Sequence, residues 1–140
     1  MKAVHCTKHG SHLDLEVVEI AEPAAPGPGY VQVDLHSRGI QFSDLVRIAG
    51  DYQIKSPLPF VVGGEAAGTV CAIGADVLDV AIGDRVICPG GCVEKINLKA
   101  RSVTRIPDGV DLNVAASFRN NYATAYYGLQ RGMLQPGETL

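Results

Sequence analysis

Val62-Gly63-Gly64-Glu65-Ala66-Ala67-Gly68 is the stretch on which the fold turns, and it continues through Ile73-Gly74 and Val77 to Gly83-Asp84-Arg85-Val86. Three glycines surround one carboxylate among small apolar residues. Glycine allows tight turns and close approach of neighbouring backbone, and a carboxylate in so apolar a setting must be paired or hydrogen-bonded. Glu65 therefore reads as structural, with Arg85 or a backbone amide as its partner.

Outward from this stretch, the chain is rich in strands. Residues 13–20 and 30–36 alternate apolar and polar, as half-buried strands do. Pro26-Gly27-Pro28-Gly29 between them reads as a turn. Met1 to Cys6, Ala66 to Ile73, Arg85 to Pro89, Cys92 to Leu98 and Ser102 to Ile106 are further strand candidates, separated by Gly and Asp-Gly signals. Many short strands with turns predict a barrel or sandwich. Helix is expected around Ser43 to Ala49, near Asp111, and from about Asn121 to Arg131, where Gly132 offers a stop. Pro136-Gly137 then turns the chain into Glu138-Thr139-Leu140.

The 140 residues suffice for one domain with a hydrophobic core. Twelve basic and 15 acidic residues leave a formal charge of −3, so no footprint for nucleic acid or a membrane surface stands out. No charged-then-apolar leader precedes the first strand, and no apolar run approaches the roughly 20 residues of a membrane span. The expectation is a cytoplasmic protein. Cys6, Cys71, Cys88 and Cys92 do not make a dense disulfide framework, so reduced thiols are expected. Cys88-Pro-Gly-Gly-Cys92 lacks the two-residue spacing of zinc ribbons; it reads as two ordinary thiols, or as a regulatory disulfide.

The order and spacing of these motifs resemble the medium-chain dehydrogenase/reductase superfamily, in its zinc-free quinone-oxidoreductase (zeta-crystallin-like) branch. The resemblance runs from Met1-Lys2-Ala3-Val4 to Pro136-Gly137-Glu138-Thr139 and implies an α+β, mainly β fold: a GroES-like β-barrel over residues 1–120 with a few short helices. Residues 121–140 would then be a linking helix and the start of a nucleotide-binding Rossmann domain that the chain itself lacks. Zinc members carry a His before the motif glutamate and a Cys before the first short helix; Gly64 and Gln41 stand there in this chain. Neither glycine nor an amide replaces a zinc ligand, so no metal is expected.

The resemblance further implies an NADPH-dependent quinone or enone reductase, with the isolated fragment inactive. An electrophilic acceptor can take hydride directly if the protein orients it, excludes water and donates hydrogen bonds to the developing oxygen charge. Gln41, Tyr52 and Thr124 match positions with catalytic roles, Gln41, Phe42 and Thr124 positions near the cofactor, and Tyr52, Gly64 and Asn121 positions of the substrate pocket. Asp44, Glu65 and Arg85 are expected to be structural. Each functional reading has a plainer one beside it. Gln41 and Asp44 can serve as helix caps, Tyr52 as a loop aromatic, and Thr124 as a group bonded back to the preceding helical turn. His5, His9, His12 and His36 read as surface residues.

Two other readings stay open: a zinc-dependent alcohol dehydrogenase-like domain, and a non-enzymatic GroES-like binding or assembly module. The partner called for is a quinone or α,β-unsaturated carbonyl, with neither nucleic acid nor membrane. The helix carrying Tyr122, Tyr126, Tyr127 and Leu129 is expected to leave a bare apolar face and to drive self-association or a homodimer.

Overall fold

A computed structural model describes residues 1–139; Leu140, read above as part of an opening strand, lies outside the described residues. The strands are β1 (Lys2–Cys6), β2 (Glu16–Glu19), β3 (Tyr30–Gly39), β4 (Phe60–Val61), β5 (Glu65–Ile73), β6 (Arg85–Pro89), β7 (Lys95–Lys99) and β8 (Thr104–Arg105). The α-helices are α1 (Phe42–Ala49), α2 (Leu112–Ala115) and α3 (Phe118–Arg131). None of the described helices is long and apolar enough to cross a membrane.

Alternation along β3 sends Val31, Val33 and Leu35 to one face, where they are buried. They meet Ala66 and Val70 of β5, Val86 and Cys88 of β6, and Ala3 of β1 in the main core. The neighbouring residues Ala67 and Ile87 point the other way and seat Ala115 and Ala116 at the end of α2. A third cluster, Cys6, Ile48 and Val62, fastens α1 to the N-terminal strands.

The strands form two antiparallel sheets, ordered β2-β1-β4 and β7-β3-β5-β6-β8. The expected mainly-β architecture is present, but the backbone ladder is not closed into a continuous barrel. One bridge, Ala3 to Val93, joins the two sheets among the described residues. Register shifts between Gln32 and Val33 and between Leu35 and Ser37 mark bulges or irregularities on the β3–β5 ladder, where local twist is strengthened.

Close approach requires glycine at several positions, and two of them place the site. An ideal Cβ on Gly68 would lie 2.0 Å from the Asp34 carbonyl oxygen, inside the β3–β5 ladder. One on Gly39 would lie 2.3 Å from the Ala116 carbonyl oxygen, so Gly39 lets the end of β3 pass directly beneath the turn between α2 and α3. That crossing brings Gln41 beside the start of α3.

Boundaries differ from the sequence reading at several elements; β3 runs on to Gly39, β7 begins at Lys95, and β8 shrinks to Thr104–Arg105. Residues 12–14 form a 3-10 turn, so the strand expected over 13–20 shortens to β2. β4 was invisible because two residues carry no periodicity. α3 begins at Phe118, three residues earlier than expected. At its far end Gly132 keeps a right-handed conformation, and the left-handed residue is Met133, with φ of 52°.

Candidate active site

A cavity of about 730 Å³ opens where β5, α1, the loop after α1 and α3 converge, and its walls include Gln41, Tyr52, Gly64, Glu65, Thr124 and Tyr127. Its geometry is set by two buried carboxylates. Asp44, 3% exposed, accepts a hydrogen bond from the Gln41 backbone N–H at 3.0 Å and so caps α1. Its other oxygen lies 3.7 Å from Arg47 Nη1. Arg47 also donates to Ser56 Oγ at 3.1 Å and rides 5.0 Å above the Phe60 ring, while Lys55 donates to the Gly50 carbonyl. These contacts tether the loop that carries Tyr52.

Glu65, 4% exposed, does the same for α3 from a distance in sequence. Oε1 accepts from the backbone N–H of Arg119 at 2.5 Å, and Oε2 from that of Asn120 at 3.2 Å. Ser117, the residue in the N-cap position, makes no side-chain cap of its own. A helix start leaves its first N–H groups unpaired, and here a carboxylate from β5 satisfies two of them. Arg85, named above as a possible partner, donates to the Val110 carbonyl instead. The backbone-amide alternative is the one realised, because α3 delivers its free N–H groups directly over Glu65.

Gln41 sits between these groups. Its Nε2 donates to Glu65 Oε2 at 2.6 Å, and its Oε1 accepts from Asn120 Nδ2. Neither the Tyr52 hydroxyl nor Thr124 Oγ1 forms a hydrogen bond within the described residues, so Thr124 is not bonded back to its preceding turn. A side chain at Gly64 would meet nothing nearer than Asp44 Oδ1 at 3.8 Å. The glycine thus keeps cavity space open without being forced by packing.

Cys88 also lines this cavity from the end of β6. Burial pushes its thiol up to about 12, and nearby Arg119 only partly offsets that. Cys92 is raised in the same direction, again chiefly by burial. Both thiols are free, as are Cys6 and Cys71, and Cys88 and Cys92 are held in the protonated, poorly nucleophilic form.

The structure brings together Gln41, Tyr52, Gly64 and Thr124 around one space but leaves two expected residues outside it. Phe42 is 81% exposed and is not part of the cavity wall. Asn121 turns its amide back to the Ser117 carbonyl at 3.4 Å, and Asn120 takes the cavity-facing position. One residue along a helix is a rotation of about 100°, so of two adjacent asparagines on α3 only one faces the cavity. Asn120, Arg47 and Tyr127 were missed by sequence reasoning. The adjacent pair Asn120-Asn121 was the available signal, and it does not say which amide faces inward.

Residues 27–122 match the alcohol dehydrogenase GroES-like domain family. The chain is 38% identical over 144 aligned positions to the quinone oxidoreductase-like protein 2 homolog of Nematostella vectensis, covering 99% of this chain and 39% of that protein. It is 38% identical over 124 positions to the human synaptic vesicle membrane protein VAT-1 homolog, covering 86% of this chain and 32% of that one. The crystal structure of Escherichia coli quinone oxidoreductase complexed with NADPH superposes with a TM-score of 0.84 at 30% identity, over 94% of this chain and 41% of that one. The chain thus spans about two fifths of the length of the quinone oxidoreductase-like relatives it matches. With the family match extending over most of the sequence and the same fold in these relatives, the chain belongs to the alcohol dehydrogenase GroES-like domain family, and it is similar along nearly all of its length to quinone oxidoreductase-like members of the medium-chain dehydrogenase/reductases.

Proposed function

We propose that this chain forms the acceptor-binding side of an NADPH-dependent quinone or enone oxidoreductase that transfers hydride without a metal. The observation that carries the reading is the cavity in which Gln41, Tyr52 and Thr124 present amide and hydroxyl groups beside the open space at Gly64. NADPH, when bound, supplies the hydride. These 140 residues contain no G-x-G-x-x-G turn, so the chain offers walls for the nicotinamide end and no cradle for the phosphates.

The donor set does not suit a catalytic zinc. Asp44 and Glu65 are committed to backbone amides, and positions 41 and 64 supply an amide and no side chain. The acceptor's own electrophilicity makes a Lewis acid unnecessary. In this reading Tyr52 stacks on the flat acceptor ring, and the Gln41 and Thr124 groups donate to the oxygen on which negative charge develops. The surrounding wall keeps water from that oxygen.

The test is NADPH consumption with a simple benzoquinone. The 140-residue chain alone is expected to show no turnover above background, and a longer polypeptide carrying it together with a nucleotide-binding domain is expected to turn over. In that longer protein Gln41→Ala should lower kcat by roughly 100-fold, the usual consequence of losing one oxyanion donor. Undiminished turnover in Gln41→Ala would remove Gln41 from the mechanism.

A further inference from the structure

The side-chain amide of Gln41 has two distinguishable ends, and the fold treats them differently. Oε1 faces a donor, Asn120 Nδ2, while Nε2 faces an acceptor, Glu65 Oε2, at 2.6 Å. An amide nitrogen carries two hydrogens, and only one is consumed by Glu65. The second forms no hydrogen bond within the described residues, and Gln41 borders the cavity.

Reversing the amide would set Gln41 Oε1 against the Glu65 carboxylate and its NH₂ group against the Asn120 NH₂ group. Both contacts would become repulsive. Glu65 cannot move aside to relieve them, because it is buried and holds the Arg119 and Asn120 backbone N–H groups at the start of α3. The same carboxylate therefore ties three things together: the start of α3, the position of Asn120, and the direction of the Gln41 amide.

We propose that Glu65 and Asn120 are positioning residues that lock the Gln41 amide so that its free N–H, and not its carbonyl, is offered to the oxygen of the bound acceptor. Both border the cavity, and the role proposed for them is exerted through Gln41. This rests on the reading of Gln41 as the oxyanion donor given above. It adds a reason why an otherwise structural carboxylate governs the chemistry: a freely rotating amide would present a repelling oxygen for part of the time, whereas a locked one is preorganised.

The inference is tested first without activity, by the side-chain ¹⁵N–¹H signals of Gln41 in the 140-residue chain. One Nε2 proton should be shifted downfield and protected from solvent exchange, and its geminal partner should exchange rapidly. Because Glu65→Ala removes the acceptor outright and with it the cap of α3, it is combined with Ser117→Asp, which supplies a cap from the helix's own N-terminal position. In that double variant α3 should remain folded while the protected Gln41 proton is lost. A Gln41 proton that stays protected without Glu65, or two equivalent protons in the parent chain, overturns the proposal.

The second test uses turnover in the longer protein. Asn120→Asp is nearly isosteric but replaces a donor with an acceptor opposite Gln41 Oε1, whereas Asn120→Ala only removes the donor. The expected order of kcat is parent, then Asn120→Ala, then Asn120→Asp lowest, with about a 10-fold or larger loss for the last and the KM for NADPH unchanged. An Asn120→Ala variant as slow as Asn120→Asp, or slower, would overturn the proposal, since a purely steric role predicts the alanine to be worse. The two readings separate cleanly: if Gln41→Ala leaves turnover intact the donor role fails, while the magnetic-resonance signature still reports whether the amide is locked.

Discussion

Gly68 shows how a single residue carries the motif from which the fold was read. No side chain fits there, since a Cβ would sit 2.0 Å from one backbone atom of β3 and 2.9 Å from two others. Backbone in a sheet cannot retreat without breaking its ladder. Gly68→Ala is expected to cost about 2 kcal/mol or more, in the upper part of the overpacking range, and to lower the urea midpoint without changing the slope. Gly64 lies in the same stretch but is under no such constraint; its contribution is the space it leaves. Glu65 completes the set as a carboxylate surrounded by N–H donors from Arg119, Asn120 and Gln41. The need for partners was legible at once from its apolar neighbours. Which partners answered was not, because the donors lie 24 to 55 residues away in the chain.

At the scale of elements, the helices differ in how their starts are satisfied. α2 is capped locally: Asp111 Oδ1 accepts from Asn113 N–H at 2.8 Å and Val114 N–H at 3.3 Å. α3 is capped by Glu65 from another element, so its position depends on the sheet. The two backbone N–H groups hold the Asp111 carboxyl below its ordinary value of 3.8. A folded-state value below the unfolded one means that stability is present above the unfolded value and is lost as pH falls through the folded one. The parent chain should therefore be more stable than Asp111→Asn at neutral pH and lose that advantage on acidification below about pH 4, with the two converging in acid, as followed by thermal unfolding across that range. Asp111 was legible as a helix opening from its place before an apolar run, whereas the start of α3 was misplaced by three residues. Its cap is not in its own sequence neighbourhood, so the usual signal was missing.

At the scale of the molecule, α3 is left with an apolar, aromatic face. Phe118 and Tyr122 stack with ring centroids 4.6 Å apart, and Tyr122, Tyr126 and Tyr127 are 61%, 65% and 65% exposed. Contiguous exposed aromatics of this kind favour association, since burying them removes apolar surface from water. The 140-residue chain is expected to self-associate through α3 at high concentration. Sedimentation velocity should show the effect, and Tyr122→Lys combined with Tyr126→Glu should shift the chain toward monomer. A parent chain that stays monomeric at high concentration would count against association through this face.

Local chemistry, and so the sequence by itself, determined the strand-rich architecture, the sites of the turns and the kinds of groups available for catalysis. Alternation, glycine placement and the absence of metal-ligand types at positions 41 and 64 are all short-range facts about the chain. Tertiary structure alone decided that two sheets meet through one bridge instead of a closed ladder, that Asn120 and not Asn121 faces the cavity, and that Glu65 binds the start of α3 in preference to Arg85. Those outcomes depend on the direction in which each element arrives, and a hydrogen bond, unlike burial, is satisfied only when donor and acceptor arrive with the right geometry.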